Sequence, residues 1–385
     1  MKITLLLVAL PLILIGQKTY YIENTETLEK IVFESNNTYF IKSGIIYEPS
    51  KNLRFSNVEN ITFRSYGGGE KPVIRFSNEM NEDVILIRAS HHILIENLAL
   101  YGNFKNNIVH IAGHYISDEP PTTNITIKDC EVAYGFNGVR SLPYRTLCDS
   151  IFIAGCDIHH IDDDGVFIVD CNYVSIENCH IWHVNLDWNR GGPNSGDCIH
   201  LVDHCNFWSI RNNVLDRRFT SNKFCFIYGN GSYLPVSGEL IGNTFYPPKD
   251  TVGGVGTCIY ISPSDHVKIE GNKFLGKGYD WGGKPGAIAF VESTEVDFEQ
   301  NYIYHLTNAL FTDKAKQVNV SGNLMENCFG MFFNYANNLI ASGNTFYNFK
   351  GWAYVSGEYV EASLIDKDTR YMKGAPTSAD SVLIR

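Results

Sequence analysis

A single phrase recurs down this chain and limits what it can fold into. It is a short run of alternating apolar residues closing on asparagine or cysteine, then a second short run, then glycine or polar residues. The phrase reads N-I-T-F-R-S at Asn60–Ser65, H-I-L-I-E-N at His92–Asn97, N-I-T-I-K-D-C at Asn124–Cys130, S-I-F-I-A-G-C at Ser150–Cys156 and Y-V-S-I-E-N-C at Tyr173–Cys179. It returns at Phe207–Asn213, Gly238–Asn243, His266–Asn272, Glu295–Asn301, Gln317–Asn323 and Asn338–Asn344. Taking 97, 130, 156, 179, 213, 243, 272, 301, 323 and 344 as closing positions, the spacings are 33, 26, 23, 34, 30, 29, 29, 22 and 21 residues. Strand-like units at this period, with no helical pattern, predict an all-β solenoid of stacked parallel strands. No single turn buries its own apolar face, so turns stacked about 4.8 Å apart must share one core. Asparagine at the same bend of successive turns can form an amide ladder that satisfies the backbone groups the bend leaves unpaired. The longer spacings place insertions near residues 112–122, 185–195 and 230–236, and in solenoids insertions gather on the binding face.

The ends follow from the same frame. Met1–Gly16 has one basic residue and then a short apolar run interrupted by Pro11. This is the plan of a signal peptide, with a buried first strand as the alternative, and it is short for a membrane span. Residues 1–17 are therefore expected to direct a secreted or periplasmic protein, without membrane insertion, and no cysteine follows for a lipid anchor. Residues 18–57 read as a cap: a strand near Tyr20–Asn24, then a short helix with Thr25 as N-cap and Leu28, Ile31 and Val32 on one face. Residues 58–353 are the solenoid, and 354–385, where the phrase is lost, an irregular tail packed along it. Ten cysteines in a secreted chain would ordinarily mean disulfides. Here Cys130, Cys156 and Cys179 close successive runs while Cys198, Cys225 and Cys258 fall inside later ones, so most are expected as buried thiols of the scaffold. No C-x-x-C pair supports a zinc site.

Aspartate and histidine concentrate between Asp157 and Asp216, which reads D-I-H-H-I-D-D-D-G-V-F-I-V-D-C … S-G-D-C-I-H-L-V-D-H-C … V-L-D in a chain only 19% charged. Aligning the strands before each marker gives an inward set of Phe167/Val169, Ile199/Leu201, Cys225/Ile227, Ile259/Ile261 and Ala289/Val291. The outward set is then Val166/Ile168, Cys198/His200, Phe224/Phe226, Cys258/Tyr260 and Ile288/Phe290. His200 and Tyr260 fall two coils apart, His110 three coils before His200, and Asp164, Asp197 and Lys223 at successive strand mouths. With a one-residue offset, Asp164 and Asp197 should start about 5 to 7 Å apart, the range in which two carboxylates flank a glycosidic bond. Their repulsion would raise one pKa and supply an acid. A metal held by Asp162–Asp164, Asp197 and His200 is the competing reading of the same cluster.

The markers over residues 55–355 resemble the right-handed parallel β-helix proteins typified by pectate lyases, pectin lyases and polygalacturonases. The resemblance implies three strands per coil, a helix capping the N-terminal end and a polysaccharide lying along one sheet. Polygalacturonases carry N-T-D-G-x-D and then G-D-D-C one coil later; this chain has D-D-D-G-V-F at Asp162–Phe167 and S-G-D-C at Ser195–Cys198. Asp164 and Asp197 match, Gly196 and Phe167 replace aspartates, and S-N-K-F at Ser221–Phe224 stands where G-H-G is expected. The first expectation is thus a hydrolase, with Asp164 and Asp197 as acid and base and His200 tuning them, and no metal. Asp163, Trp188, Arg217, Arg218, Lys223 and Tyr260 are expected to bind substrate, with Trp188 and Trp281 as sugar platforms in glycine-rich insertions. An eliminative lyase acting on a uronate polymer, using Lys223 or an arginine with Tyr260 and Ca²⁺, is the second. A non-catalytic carbohydrate-binding β-helix is the third. A net charge of −11 argues against nucleic acid but not against an acidic polysaccharide met by local cations. A monomer is expected.

Overall fold

The computed structural model describes residues 17–76, 81–113, 119–144, 146, 148–186, 196–217, 225–228, 236–246, 257–276, 287–305, 308–313, 315–328, 330–334, 338–347, 352–355, 358–361 and 370–372. The chain winds as a parallel β-helix. One coil runs through strands Val166–Val169, Val174–Glu177 and His180–Val184, and the next opens at Ile199–Val202, paired in parallel with the first. The first two strand positions form two walls of a 24-stranded sheet and the third position a 13-stranded sheet. The signal peptide expected over residues 1–17 lies, but for Gln17, outside the described residues.

Alternation along each strand fills the core. Ile151, Ile153, Ile158 and Ile161 of one coil are at most 1% exposed, as are Val174, Ile176, Ile181 and Val184 of the next. Each such side chain contributes roughly 1.5–3 kcal/mol of gross transfer free energy. The bend between the second and third walls is held as the repeat predicts. Asn213, Asn243, Asn272, Asn301, Asn323 and Asn344 are each at most 1% exposed. Each Nδ2 from Asn213 to Asn323 donates to the next Oδ1 at 2.9–3.1 Å. The same Oδ1 also takes the backbone N–H of the preceding rung. Cys179 joins from below, its N–H donating to Asn213 Oδ1 at 2.8 Å. The nine cysteines whose side chains are described are buried free thiols.

Four local expectations change. Asn24, not Thr25, caps the helix Thr25–Lys30, its Oδ1 accepting from Thr27 N at 2.9 Å; Val32 lies beyond the helix and is 78% exposed. Asn97 is no ladder rung. It stands at φ +57° in the left-handed step before the bend, and the rung of that coil is Leu98, because Ala99 pairs with Glu131. Asparagine tolerates that step because its short polar side chain bonds locally. The coil of Val166 is shifted by one residue: Val166 pairs with Ile199 and Phe167 with His200, so Val166 and Ile168 are buried while Phe167 and Val169 face out. Finally, the tail is not wholly irregular. Arg370–Met372 adds to the third wall in parallel with Thr345–Tyr347, and Glu358–Glu361 folds back antiparallel on Trp352–Val355. The last coil leaves unpaired N–H and C=O groups at its edge, which further strands satisfy.

Candidate active site

The corner between the third wall and the first is built by a second ladder. Asp83 Oδ1 accepts from Asn107 N at 3.0 Å and Nδ2 at 2.8 Å, and Asn107 Oδ1 accepts from Asn137 Nδ2 at 3.0 Å. Asn137 Oδ1 takes Asp164 N at 3.2 Å, and Asp164 Oδ1 takes Asp197 N at 2.7 Å. Amides thus give way to carboxylates as the ladder reaches Asp164 and Asp197. These two stand in direct register, without the expected offset, since Gly165 N donates to Asp197 O at 2.9 Å. Close packing fixes the turns: a Cβ on Gly165 would lie 2.7 Å from Cys198 O. At Gly196 a Cβ would lie 2.3 Å from Asn185 Cβ, and φ is +83°, so aspartate has no room where the polygalacturonase motif carries one.

Asp164 and Asp197 are 4% and 2% exposed. His200, whose side chain is 22% exposed, meets Asp164 Oδ2 through Nδ1 at 3.1 Å. Burial alone would lower the His200 pKa; the hydrogen bond to Asp164 and the charges of Asp164, Asp197 and Asp163 outweigh it and raise the value. The perturbed carboxyl is that of Asp163, pushed from 3.8 to about 7 by burial and by the Asp164 charge against the pull of His200, with Asp197 adding a lesser push and Arg140 a lesser pull. Ligand atoms of Asp164, Asp197 and His200 all lie within 4.8 Å of one another, so the three could also hold a cation. Two carboxylates and an imidazole suit a transition ion better than Ca²⁺, which takes a shell of oxygens.

The profile described as the right handed beta helix region matches residues 43–246 and 235–364. The chain belongs to the right-handed β-helix family. Among solved structures, it is similar to the catalytic unit of an α-1,3-glucanase from Streptomyces thermodiastaticus at 12% identity and TM-score 0.51, covering 89% of this chain and 70% of that one. It is also similar to an alginate lyase from Paenibacillus at 13% identity and TM-score 0.40, covering 93% and 96%, and to a lacto-N-biosidase from Eubacterium ramulus at 11% and 0.46, covering 92% and 67%. At these identities the likeness is one of fold. No curated protein matches the chain.

On this β-helix the outward column of the first wall is His110, Arg140, Phe167, His200, Phe226 and Tyr260, each paired in register with the next. Tyr260 lies two coils from His200 and His110 three coils before it, as the sequence indicates. Phe226 bridges His200 and Tyr260, with ring centroids 4.9 and 5.1 Å away. Phe167 packs edge-on to His200 at 5.0 Å, and Arg140 lies over its other side, 5.6 Å from the ring centroid. Two placements need correction. Cys198, expected outward, is fully buried, because its side chain enters the core just before the strand begins. Arg217, expected to bind substrate, is 1% exposed. It follows the third-wall strand Val214–Asp216, and its charge acts inward on Cys198, whose thiol burial nevertheless pushes up to about 12. Trp188, Arg218 and Lys223, with Trp281, lie outside the described residues. Sequence reasoning missed Arg140. Its signal was the register itself, since R in G-V-R-S-L falls in the column of His110 and His200. A recess of about 480 Å³ lined by Asn60, His92, Leu94, Thr126 and Phe152 belongs to the second wall, away from this corner.

Proposed function

We propose that this β-helix protein cleaves a polysaccharide by hydrolysis on the outward face of its first wall. The observation that carries the proposal is the set of three carboxyl groups, Asp163, Asp164 and Asp197, on two neighbouring coils, with burial and the Asp164 charge raising the Asp163 value to about 7. In this reading Asp163 donates its proton to the glycosidic oxygen as the bond to the anomeric carbon breaks. Asp197 takes a proton from the water that attacks that carbon. Asp164, fixed by the Asp197 N–H and by His200, is a positioning residue that keeps charge balanced across the corner. Proton transfer by a positioned side chain contributes about 10²–10⁴-fold in rate, and paired carboxyl groups are the general solution to glycoside hydrolysis. The acid role thus moves to Asp163 from the pair expected by sequence, because a proton donor must hold its proton at working pH. Polysaccharide-cleaving proteins are among those of similar fold, which fits the proposal. A signal peptide over residues 1–17 would bring the protein to such a polymer outside the cytoplasm.

Elimination on a uronate polymer is the second reading, favoured by Arg140 and Tyr260 on the same face as His200. Incubation with a panel of neutral and acidic polysaccharides tests both. Hydrolysis releases reducing ends without ultraviolet absorbance, elimination releases unsaturated products that absorb, and binding without either product leaves a non-catalytic lectin-like role. Asp163→Asn and Asp197→Asn should each lower hydrolysis by about 10²-fold or more; full activity in either variant would overturn the assignment.

A further inference from the structure

The corner ladder carries a second aspartate–histidine pair built like the first. Asp83 accepts from His110 Nδ1 at 2.7 Å, as Asp164 does from His200, and in both the aspartate sits one coil before its histidine. Asp83 is also bound by Asn107 N and Nδ2, as Asp164 is bound by Asp197 N. Two differences between the copies matter here. Asn107 replaces Asp197, so the carboxylate read as the base beside Asp164 has no counterpart beside Asp83. The next residue in the outward column after His110 is Arg140, whereas after His200 it is Phe226.

Arg140 makes no hydrogen bond or ion pair among the described residues; its guanidinium lies over Phe167 and its Nε is buried without a partner. His110 is 9% exposed, and its Nε2 is likewise buried without a partner. In the tautomer that donates from Nδ1 to Asp83, Nε2 offers a lone pair. A fork of N–H donors bearing permanent positive charge therefore stands one coil, about 4.8 Å, from an acceptor for a hydroxyl proton. An orphaned buried nitrogen is a standing cost that a ligand group can relieve.

We infer that His110 and Arg140 form a subsite for an acidic sugar unit, one carrying an anionic group beside a free hydroxyl. The anion pairs with the Arg140 guanidinium, the hydroxyl donates to His110 Nε2, and Asp83 holds the imidazole tautomer. The subsite rests on the reading of this face as a polysaccharide site, two coils from His200, but not on whether that site hydrolyses or eliminates. The anion can be a uronate carboxylate or a sulfate ester, both of which a guanidinium binds through two parallel N–H bonds.

The test is binding, measured by calorimetry in the Asp197→Asn background with polygalacturonate, a sulfated galactan and a neutral galactan as probes. We expect at least one acidic polymer to bind, with neutral galactan weaker, and Arg140→Gln to lower that affinity about tenfold or more. The polymer that responds identifies the acid. Arg140→Lys, which keeps the charge but loses the fork, should fall between, with all variants melting at the parent temperature. Equal affinity of Arg140→Gln and its parent for the acidic polymers, or preference for the neutral one, overturns the subsite. Turnover remaining in Asp197→Asn would instead count against the hydrolytic assignment alone.

Discussion

The Asp163 carboxyl should betray itself in the pH dependence of stability. Its folded value of about 7 exceeds the ordinary 3.8, so the folded state holds a proton that the unfolded chain releases. Stability from this group is fully present below pH ~4, falls as pH rises towards 7, and is flat above, where both states are ionised. At 1.36 kcal/mol for each pH unit between the two values, the loss is at most about 4 kcal/mol. Asp163 is only partly buried, and water screens its neighbours, so roughly 1–2 kcal/mol is the realistic figure. Asp163→Asn removes the ionisable group and keeps the shape. Urea unfolding of wild type and variant at pH 4, 6 and 8 isolates the effect, because the other carboxylates cancel in the difference. The variant should gain on wild type by roughly 1–2 kcal/mol between pH 4 and pH 8, while losing hydrolytic turnover. A difference that stays constant across that range would refute the claim that burial and the Asp164 charge hold a proton on Asp163.

The remaining predictions concern the scaffold and the chemistry separately. Asn272→Ala removes the acceptor used by Asn243 N and Nδ2 and the donor used by Leu240 O, leaving three buried groups unpaired; at about 1–3 kcal/mol each, a loss of roughly 3 kcal/mol or more should appear in the urea midpoint. Gly196→Ala places a methyl 2.3 Å from Asn185 Cβ at a left-handed backbone position, so both the melting temperature and turnover should fall; an unaltered melting curve would show that the turn yields freely. Under the hydrolytic reading Asp164, Asp197 and His200 act without an ion, so prolonged chelation should leave turnover unchanged, and loss restored by a divalent cation would assign these three residues to a metal instead.

What could be read from the sequence, and what could not, divides along a physical line. The amide ladder was legible because each rung needs the same residue at the same bend, and the repeat displays that need as Asn213, Asn243, Asn272, Asn301, Asn323 and Asn344. The pairing of Asp164 with Asp197 was legible for the same reason, as was the column through His110, His200 and Tyr260. The coil at Val166–Val169 was not, because all four residues are apolar and a strand without alternation does not declare its inward face. With a side-chain period of two, a slip of one residue turns every side chain over, and this slip hid Phe167 beside His200. Arg217 misled because it sits where a strand ends, and charge type alone does not say whether a terminal side chain turns in or out.

The placement of proton affinity on Asp163 depends on something no alignment of strands contains. Asp162, Asp163 and Asp164 are identical letters, yet only Asp164 occupies the ladder position, where the Asp197 N–H meets its Oδ1 and the His200 imidazole its Oδ2. Asp163, one residue earlier, is partly buried and faces the Asp164 charge, while its Oδ1 is buried without a hydrogen-bond partner. The charge of Asp164 raises the Asp163 value, and that of His200 pulls it down. If that balance sets the acid, then His200→Gln, by removing the positive charge that lowers the Asp163 value, should raise it further. The acid-form limb of the pH–rate profile would then move to higher pH even as the maximal rate falls. A limb that moves to lower pH, or stays where it is, would separate His200 from the proton held at Asp163.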